Sequence, residues 1–255
     1  MDELEIIDTN ANNICNYSFC GFKNIKQEGY RRKTDWLKQR FSEGMKFKVL
    51  HSASEGTDGA IEYIPGKYTW RAVEANGYMV IHCIFIMHRK YKGKGYGTLL
   101  LEQCLQDAKK ENMHGVAVVT SKSTFMAGKE LFLKNGFELV DEAPPYFELL
   151  VKKFNNAPSP EFKKDWEERL SQYGTGLTII RSDQCPAIAK SVKDISETAR
   201  GLGIEANIIE LNNCIEAQNA PSPYGVFSII YNGKLLVDHA ISSTRFTNIM
   251  NKVLQ

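Results

Sequence analysis

At 255 residues, with 43% hydrophobic and 24% charged side chains, the chain is long enough for one large domain or two small ones and excludes gross disorder or a collagenous fibre. A formal net charge of +2 supplies no global basic field for nucleic acid. No apolar run has the length of a membrane span, the acidic start Met1-Asp2-Glu3-Leu4-Glu5 has no signal-peptide pattern, and a cytoplasmic protein without a membrane partner is expected.

Residues 1–25 carry few signals, and Cys15 and Cys20 flank a tetrapeptide with no second ligand pair, which argues against a metal site. Gln27 to Ser42 reads as a helix with Tyr30, Trp36, Leu37, Arg40 and Phe41 on one side, its other charges solvated. Gly44 stops it, and Met45 to His51 alternates as a half-buried strand should. After the turn Gly56-Thr57-Asp58-Gly59, Ala60 to Ile64 is the next strand, and Tyr68 to Val73 continues it beyond Pro65-Gly66.

The stretch Tyr78 to Glu111 organises the rest. Ile81 to Met87 is a short isoleucine-rich run that reads as a buried strand, while Leu99, Leu100, Cys104, Leu105 and Ala108 recur at helical spacing. Between them His88-Arg89-Lys90-Tyr91-Lys92-Gly93-Lys94-Gly95-Tyr96-Gly97 brings glycine-rich backbone and positive charge to a helix start, a place suited to phosphate. It lacks the Gly-Lys-Ser/Thr ending of a nucleoside-triphosphate loop and the distal acidic residue of a Rossmann site. Gly115 to Thr120 is then a strand, Ala127 to Lys134 a helix ended by Asn135-Gly136, and Phe137 to Val140 and Phe147 to Phe154 are strands.

Lys92-Gly93-Lys94-Gly95-Tyr96-Gly97 resembles the acyl-CoA loop of the GNAT N-acetyltransferases, Arg/Gln-x-x-Gly-x-Gly/Ala, with Lys92 at the Arg/Gln position. The element order over residues 25–154 and the stretch Ala127 to Phe137 are similar to that family too. The resemblance implies an α/β fold with a mixed sheet whose central strands, here Tyr78–Met87 and Gly115–Thr120, splay to admit acetyl-CoA. It implies a cofactor site of Ile84, Phe85, Ile86, Met87, Lys92, Gly93, Lys94, Gly95, Tyr96, Gly97 and Thr98, with a strand N–H near Phe85 polarising the thioester. The acceptor would be a small-molecule or peptide amine, with no nucleic acid and no metal, and a homodimer is left open as the assembly. Glu62, Glu74 and His82 border the central strands, and Glu62 and His82 are ranked together as candidates to relay the ammonium proton. The tyrosine that usually protonates the leaving thiolate is replaced by Phe132, which leaves water, Tyr146 or departure as the thiolate.

Asn155-Asn156-Ala157-Pro158-Ser159-Pro160 is a linker by composition, and a helix from Glu161 to Tyr173 follows. The expected division is an acetyltransferase domain over 1–154, a linker with a helix over 155–176, and a smaller α/β domain over 177–255. That last part reads strand Leu177–Ile180, helix Ala187–Leu202, strand Ala206–Leu211, helix Cys214–Gln218, a hairpin turning at Asn232-Gly233, and helix Thr244–Leu254. This order resembles the thioredoxin fold, and the pairing of the two parts resembles acetyltransferases with a C-terminal YoaP-type domain. Cys185-Pro186-Ala187-Ile188 stands where the thioredoxin fold has its redox cysteine, with Ile188 excluding a second cysteine in the motif and Ser222-Pro223 near its cis-proline. A thiol at a helix start should be acidified, so Cys185 is a candidate reactive group, with Cys214 as a distant resolving partner. Two alternatives therefore stand beside the acetyltransferase: a thiol-redox protein centred on Cys185, and a non-catalytic acyl-CoA sensor.

Overall fold

A computed structural model describes residues 4–122 and 126–255; the acidic start Met1-Asp2-Glu3 lies outside them. The N-terminal two-thirds builds a seven-stranded mixed sheet in the order β1-β2-β3-β5-β6-β8-β7. Its strands are β1 (Glu5–Asp8), β2 (Lys46–Ser52), β3 (Gly56–Pro65), β5 (Tyr78–Ile86), β6 (Gly115–Ser121), β7 (Glu138–Ala143) and β8 (Phe147–Lys153). Helix α1 (Glu28–Arg40) enters between β1 and β2, α2 (Tyr96–Lys110) follows β5, and α3 (Glu130–Lys134) precedes β7. The short strand β4 (Val73–Glu74) does not continue β3. A single-turn 3₁₀ helix at Gly66–Tyr68 breaks the path, and β4 pairs instead with β9 (Glu161–Phe162). So the segment after the linker opens as a strand, and its helix α4 is confined to Trp166–Ser171.

Strands β5 and β6 are parallel partners only from Tyr78↔Gly115 to Ile81↔Val118. Beyond Ile81, β5 stays with β3 as far as Ile86↔Gly59, and β6 stays with β8 as far as Ser121↔Phe147. The two central strands therefore part in the middle of the sheet, leaving the far half of β5 with one open edge. The splay expected at these strands is present.

The remaining chain forms a four-stranded sheet in the order β11-β10-β12-β13, with β10 (Leu177–Arg181), β11 (Ala206–Glu210), β12 (Phe227–Tyr231) and β13 (Lys234–Val237). Helices α5 (Ala187–Gly201), α6 (Cys214–Gln218) and α7 (Ser243–Val253) complete it. Strand β10 runs parallel to β11 and antiparallel to β12. The Ser222–Pro223 bond is not cis; among the described residues the cis peptide joins Pro144 and Pro145.

The two sheets share one hydrophobic core, a cluster that includes Trp36, Trp70 and Val80 of the first part and Ile188, Phe227 and Phe246 of the second. Their approach is close enough to need glycine. A Cβ on Gly29 of α1 would fall 2.0 Å from the Pro186 carbonyl oxygen, and one on Gly225 would fall 2.6 Å from that of Trp70. Arg71, buried to 1% exposure, donates through Nη1 to the carbonyls of Trp70 and Tyr224 and through Nη2 to that of His82. One guanidinium thus ties the second part to the middle of β5. Among the described residues no helix is long and apolar enough to cross a membrane.

Candidate active site

Two depressions flank the open edge of β5 and meet at Phe85, which lines both. The first, a groove of about 570 Å³, runs along the glycine loop and the start of α2, with Ile86, Tyr91, Lys92, Thr98, Leu131 and Lys134 among its walls. Gly93 and Gly95 have φ of 77° and 88°, a left-handed backbone that residues with a Cβ adopt at a cost. Helix α2 closes its first bond from Leu99 N–H to the Gly95 carbonyl, so the amides of Tyr96, Gly97 and Thr98 have no helical partner. Among the described residues the amides of Gly93 and Gly95 likewise donate to no backbone carbonyl. These five donors and the positive helix end make a cradle that fits a pyrophosphate.

Two of the expected amides do not belong to it. Lys92 N–H donates to the Arg89 carbonyl and Lys94 N–H to that of Tyr91, since the turn before the loop is a single 3₁₀ turn that consumes them. Lys94 and Tyr96 are absent from the groove lining; the Tyr96 ring packs edge-on against Tyr91. Lys90 is paired at 2.6 Å with Glu55, brought in from the turn between β2 and β3.

The expectation of a polarising N–H near Phe85 shifts by one residue. Met87 N–H donates to the Asp58 carbonyl on the β3 side at 2.7 Å, and amides alternate sides along a strand, so Phe85 N–H also faces β3, opposite Ala60. The amides of Ile84 and Ile86 face the gap. Met87 itself is spent on β3, and its side chain lines the second depression with that of Ile84.

That second depression is a cavity of about 330 Å³ with aromatic and aliphatic walls, among them Phe19, Phe22, Phe47 and Tyr224. Its polar floor is built around a bulge. Glu62 opposes Cys83 and Tyr63 opposes Ile81, which leaves His82 as the extra residue of β5 and turns both His82 and Cys83 toward the cavity. Glu62, 1% exposed, is paired through Oε2 with the buried ammonium of Lys33 and accepts through Oε1 from His82 Nδ1 at 3.3 Å and Gln184 Nε2 at 2.9 Å. The carboxylate can only accept, which fixes the Gln184 amide with its Oε1 turned away; that atom is buried and has no partner.

These contacts decide the protonation states. Burial would raise the Glu62 carboxyl, but the Lys33 ammonium and the His82 hydrogen bond hold it at about 2. Burial pushes His82 down to about 4. The Trp70 backbone N–H donates to its Nε2 at 3.1 Å, so the proton sits on Nδ1 and the Nε2 lone pair is engaged. Glu62 and His82, ranked together as candidates, share one floor, yet neither has a free basic atom to give an incoming ammonium. The expectation that the other charges of α1 are solvated is corrected at Lys33, which is buried at 2% exposure, whereas Arg40 is buried on the apolar side where it was expected. Lys33 stands three residues after Tyr30 and four before Leu37, on the apolar face, and that spacing was the available signal.

Cys185 reaches the same cavity from the start of α5, but burial pushes its thiol up to about 11 despite the Ala187 amide, so the acidified thiolate expected at a helix start is not found. Cys214 lies outside the cavity. Cys20 and Cys83 line the same cavity as Cys185, and the neighbouring Cys20 thiol draws the Cys83 thiol below its ordinary value. Tyr146 is elsewhere, donating to Asp238 Oδ2 at 2.8 Å, and Phe132 is fully buried against Phe137. The tyrosine on the cavity wall is Tyr224, whose hydroxyl burial holds in its protonated form. Among the described residues no group of three or more His, Cys, Asp or Glu is arranged to hold a metal ion.

The profile of the GNAT acetyltransferase family matches residues 14–137, and a YoaP-like profile matches residues 206–248. A protein of Bacillus subtilis (strain 168) described as an uncharacterized N-acetyltransferase, YoaP, is 32% identical over 250 residues, spanning 96% of this chain and 98% of its own length. Among solved structures, the PaiA N-acetyltransferase of Thermoplasma acidophilum in complex with coenzyme A has 16% identity and a TM-score of 0.42, over 60% of this chain and 99% of its own. A GNAT-family acetyltransferase of Staphylococcus aureus Mu50 has 14% identity and a TM-score of 0.44, over 60% of this chain and 100% of its own.

Proposed function

The chain belongs to the GNAT acetyltransferase family, and on that footing we propose that it transfers an acetyl group from acetyl-CoA to a compact, largely apolar primary amine by direct attack in a ternary complex. The observation that carries this reading is the junction at Phe85, where a groove of unpartnered amides meets a separate, apolar-walled cavity across the open edge of β5. Acetyl-CoA is the co-substrate that family membership assigns. The amides of Gly93, Gly95, Tyr96, Gly97 and Thr98 hold its pyrophosphate, and Lys134 adds charge at the groove wall. The gap-facing amides of Ile84 and Ile86 lie along the acyl arm and polarise the thioester carbonyl.

On the cavity side the polar group left to orient the amine is the unpartnered Gln184 Oε1, beside the fixed charge of the Glu62 carboxylate. Lys33 and His82 keep Glu62 charged and fixed. Cys83, whose thiol the neighbouring Cys20 draws below its ordinary value, is the wall group that takes the ammonium proton in this reading. The apolar walls favour a hydrocarbon body over an aminoglycoside or another polyol. Tyr224 is the hydroxyl available to the departing thiolate in place of Phe132. The division near residues 154 and 177 is part of this reading, with the second, thioredoxin-like unit supplying one wall of the acceptor site through Gln184, Cys185 and Tyr224.

Thermal denaturation with and without acetyl-CoA tests the groove. A ligand at a hundredfold excess over its Kd stabilises by about 2.7 kcal/mol, and a Gly95→Asp/Gly97→Asp double variant should lose that gain. An unchanged melting temperature in the parent chain on adding acetyl-CoA would overturn the proposal.

A further inference from the structure

A buried acid outside both depressions holds the entry of the glycine loop. Strand β3 carries a bulge of its own: Leu50 of β2 opposes Gly59 and His51 opposes Thr57, which leaves Asp58 as the extra residue. Its carboxylate is fully buried, accepting from the Ser52 hydroxyl at 2.6 Å and from His88 Nδ1 at 2.5 Å, and its carbonyl accepts from Met87 N–H. A carboxylate can only accept, so His88 donates through Nδ1. The His88 side chain is 38% exposed and borders neither the groove nor the cavity. The loop begins at this residue. The His88 carbonyl accepts Tyr91 N–H in the single 3₁₀ turn, and the carbonyls of Arg89 and Tyr91 take the amides of Lys92 and Lys94. The Tyr91 ring lies 6.4 Å from that of His88 and 5.6 Å, edge-on, from that of Tyr96, whose amide belongs to the cradle. A second tie from the turn between β2 and β3 joins Glu55 Oε1 to Lys90 Nζ at 2.6 Å. The five cradle amides have no backbone partner to fix them, so their arrangement depends on what fixes the two ends of the loop, α2 on one side and the Asp58–His88 contact on the other.

We propose that Asp58 and His88 are positioning residues for acetyl-CoA, a brace that presets the amide cradle without touching the ligand; this rests on the groove being the pyrophosphate site. Asp58, held in place by Ser52 and the β3 bulge, fixes His88, and His88 fixes the turn from which the loop departs. Preorganising a binding loop raises affinity by removing the cost of ordering it on binding. A loop that keeps the cradle geometry only a tenth of the time binds about tenfold more weakly. The Glu55–Lys90 pair is exposed to water on both sides, so its contribution to the brace is the smaller one.

The test is calorimetric titration of the full chain with acetyl-CoA. His88→Ala should raise the Kd about tenfold, the factor for a cradle formed a tenth of the time. His88→Asn, whose amide N–H falls where Nδ1 stood, should return it to the parent's value, and Tyr146→Phe, which removes a hydrogen bond to Asp238 away from the groove, should bind as the parent does. A parent-like Kd in His88→Ala overturns the proposal. So does an equal loss in His88→Asn, which would give the imidazole itself a contact with the ligand, or an equal loss in Tyr146→Phe, which would make the effect one of general stability. The Gly95→Asp/Gly97→Asp chain separates this inference from the reading beneath it. If that chain binds acetyl-CoA as the parent does, the groove assignment falls and the brace with it; if it loses binding while His88→Ala keeps it, the brace falls alone.

Discussion

The groove at the start of α2 and the cavity beyond Phe85 are neighbours built from different materials. The groove uses backbone: five amides, a left-handed turn at two glycines and a helix end, all within residues 93–98. The cavity uses buried side chains drawn from α1, β3, the β5 bulge and the start of α5, and its floor is one hydrogen-bonded network of Lys33, Glu62, His82 and Gln184. Backbone donors can be altered locally without disturbing the fold. A buried ionic network cannot, because every member satisfies another.

The largest expected effect sharpens that contrast. Lys33→Ala strips the buried partner from Glu62 and should lower stability by about 3–5 kcal/mol, read as a fall in melting temperature, whereas Gly97→Ala meets only the Leu131 methyls at 3.5 Å and should melt nearly as the parent does. The same network sets the acid response. His82 binds its proton near 6.5 when unfolded and near 4 when folded, so the unfolded chain takes up the extra proton in between and stability falls as pH drops through that window. Glu62, held at about 2 against an ordinary 4.5, adds its loss below 4.5. Each pH unit of such separation is worth about 1.4 kcal/mol. A melting temperature flat from pH 7 down to 4 would break the claim that the floor is a closed network.

Next comes the base. Cys83→Ser should lower kcat about a hundredfold with acetyl-CoA binding intact, in the range of general-base removal. Cys20→Ala removes the neighbouring thiol that draws the Cys83 thiol down, so the ascending limb of the kcat profile should move to higher pH. An unmoved limb would assign the proton to solvent. Smaller again is Gln184→Leu, which removes one oriented acceptor and should raise the acceptor KM about tenfold, leaving the acetyl-CoA thermal shift unchanged. If both ligands weakened together, the two regions would not be separate sites.

How much of this the sequence disclosed follows from the same difference in material. Lys92 to Gly97 places glycine at the positions where the turn needs it, and the alternation of Met45–His51 and the helical spacing after Tyr96 are local facts, so the groove and these elements could be read, while the splay was expected from the family resemblance. The cavity could not. Gln184 and Glu62 are 122 residues apart, and no local pattern reports their hydrogen bond. The bulge at His82 is a mismatch of register between two strands, invisible in either alone. Cys185 carried a legible motif, but its protonation is set by burial beneath the other half of the chain, which reversed the expected direction.

The smallest effect concerns Tyr146, named from sequence as a donor to the leaving thiolate. Its hydroxyl donates to Asp238, and it borders neither the groove nor the cavity. Tyr146→Phe should therefore cost stability on the order of 1 kcal/mol, the net worth of one hydrogen bond, and leave kcat unaltered, whereas Tyr224→Phe should lower kcat if the thiolate takes its proton from the cavity wall. The pair is informative because both tyrosines link the two parts, Tyr146 through its hydroxyl on Asp238 and Tyr224 through a carbonyl held by Arg71. A kcat loss confined to Tyr146→Phe would mean that contact between the halves, rather than a hydroxyl at the reacting atoms, governs turnover.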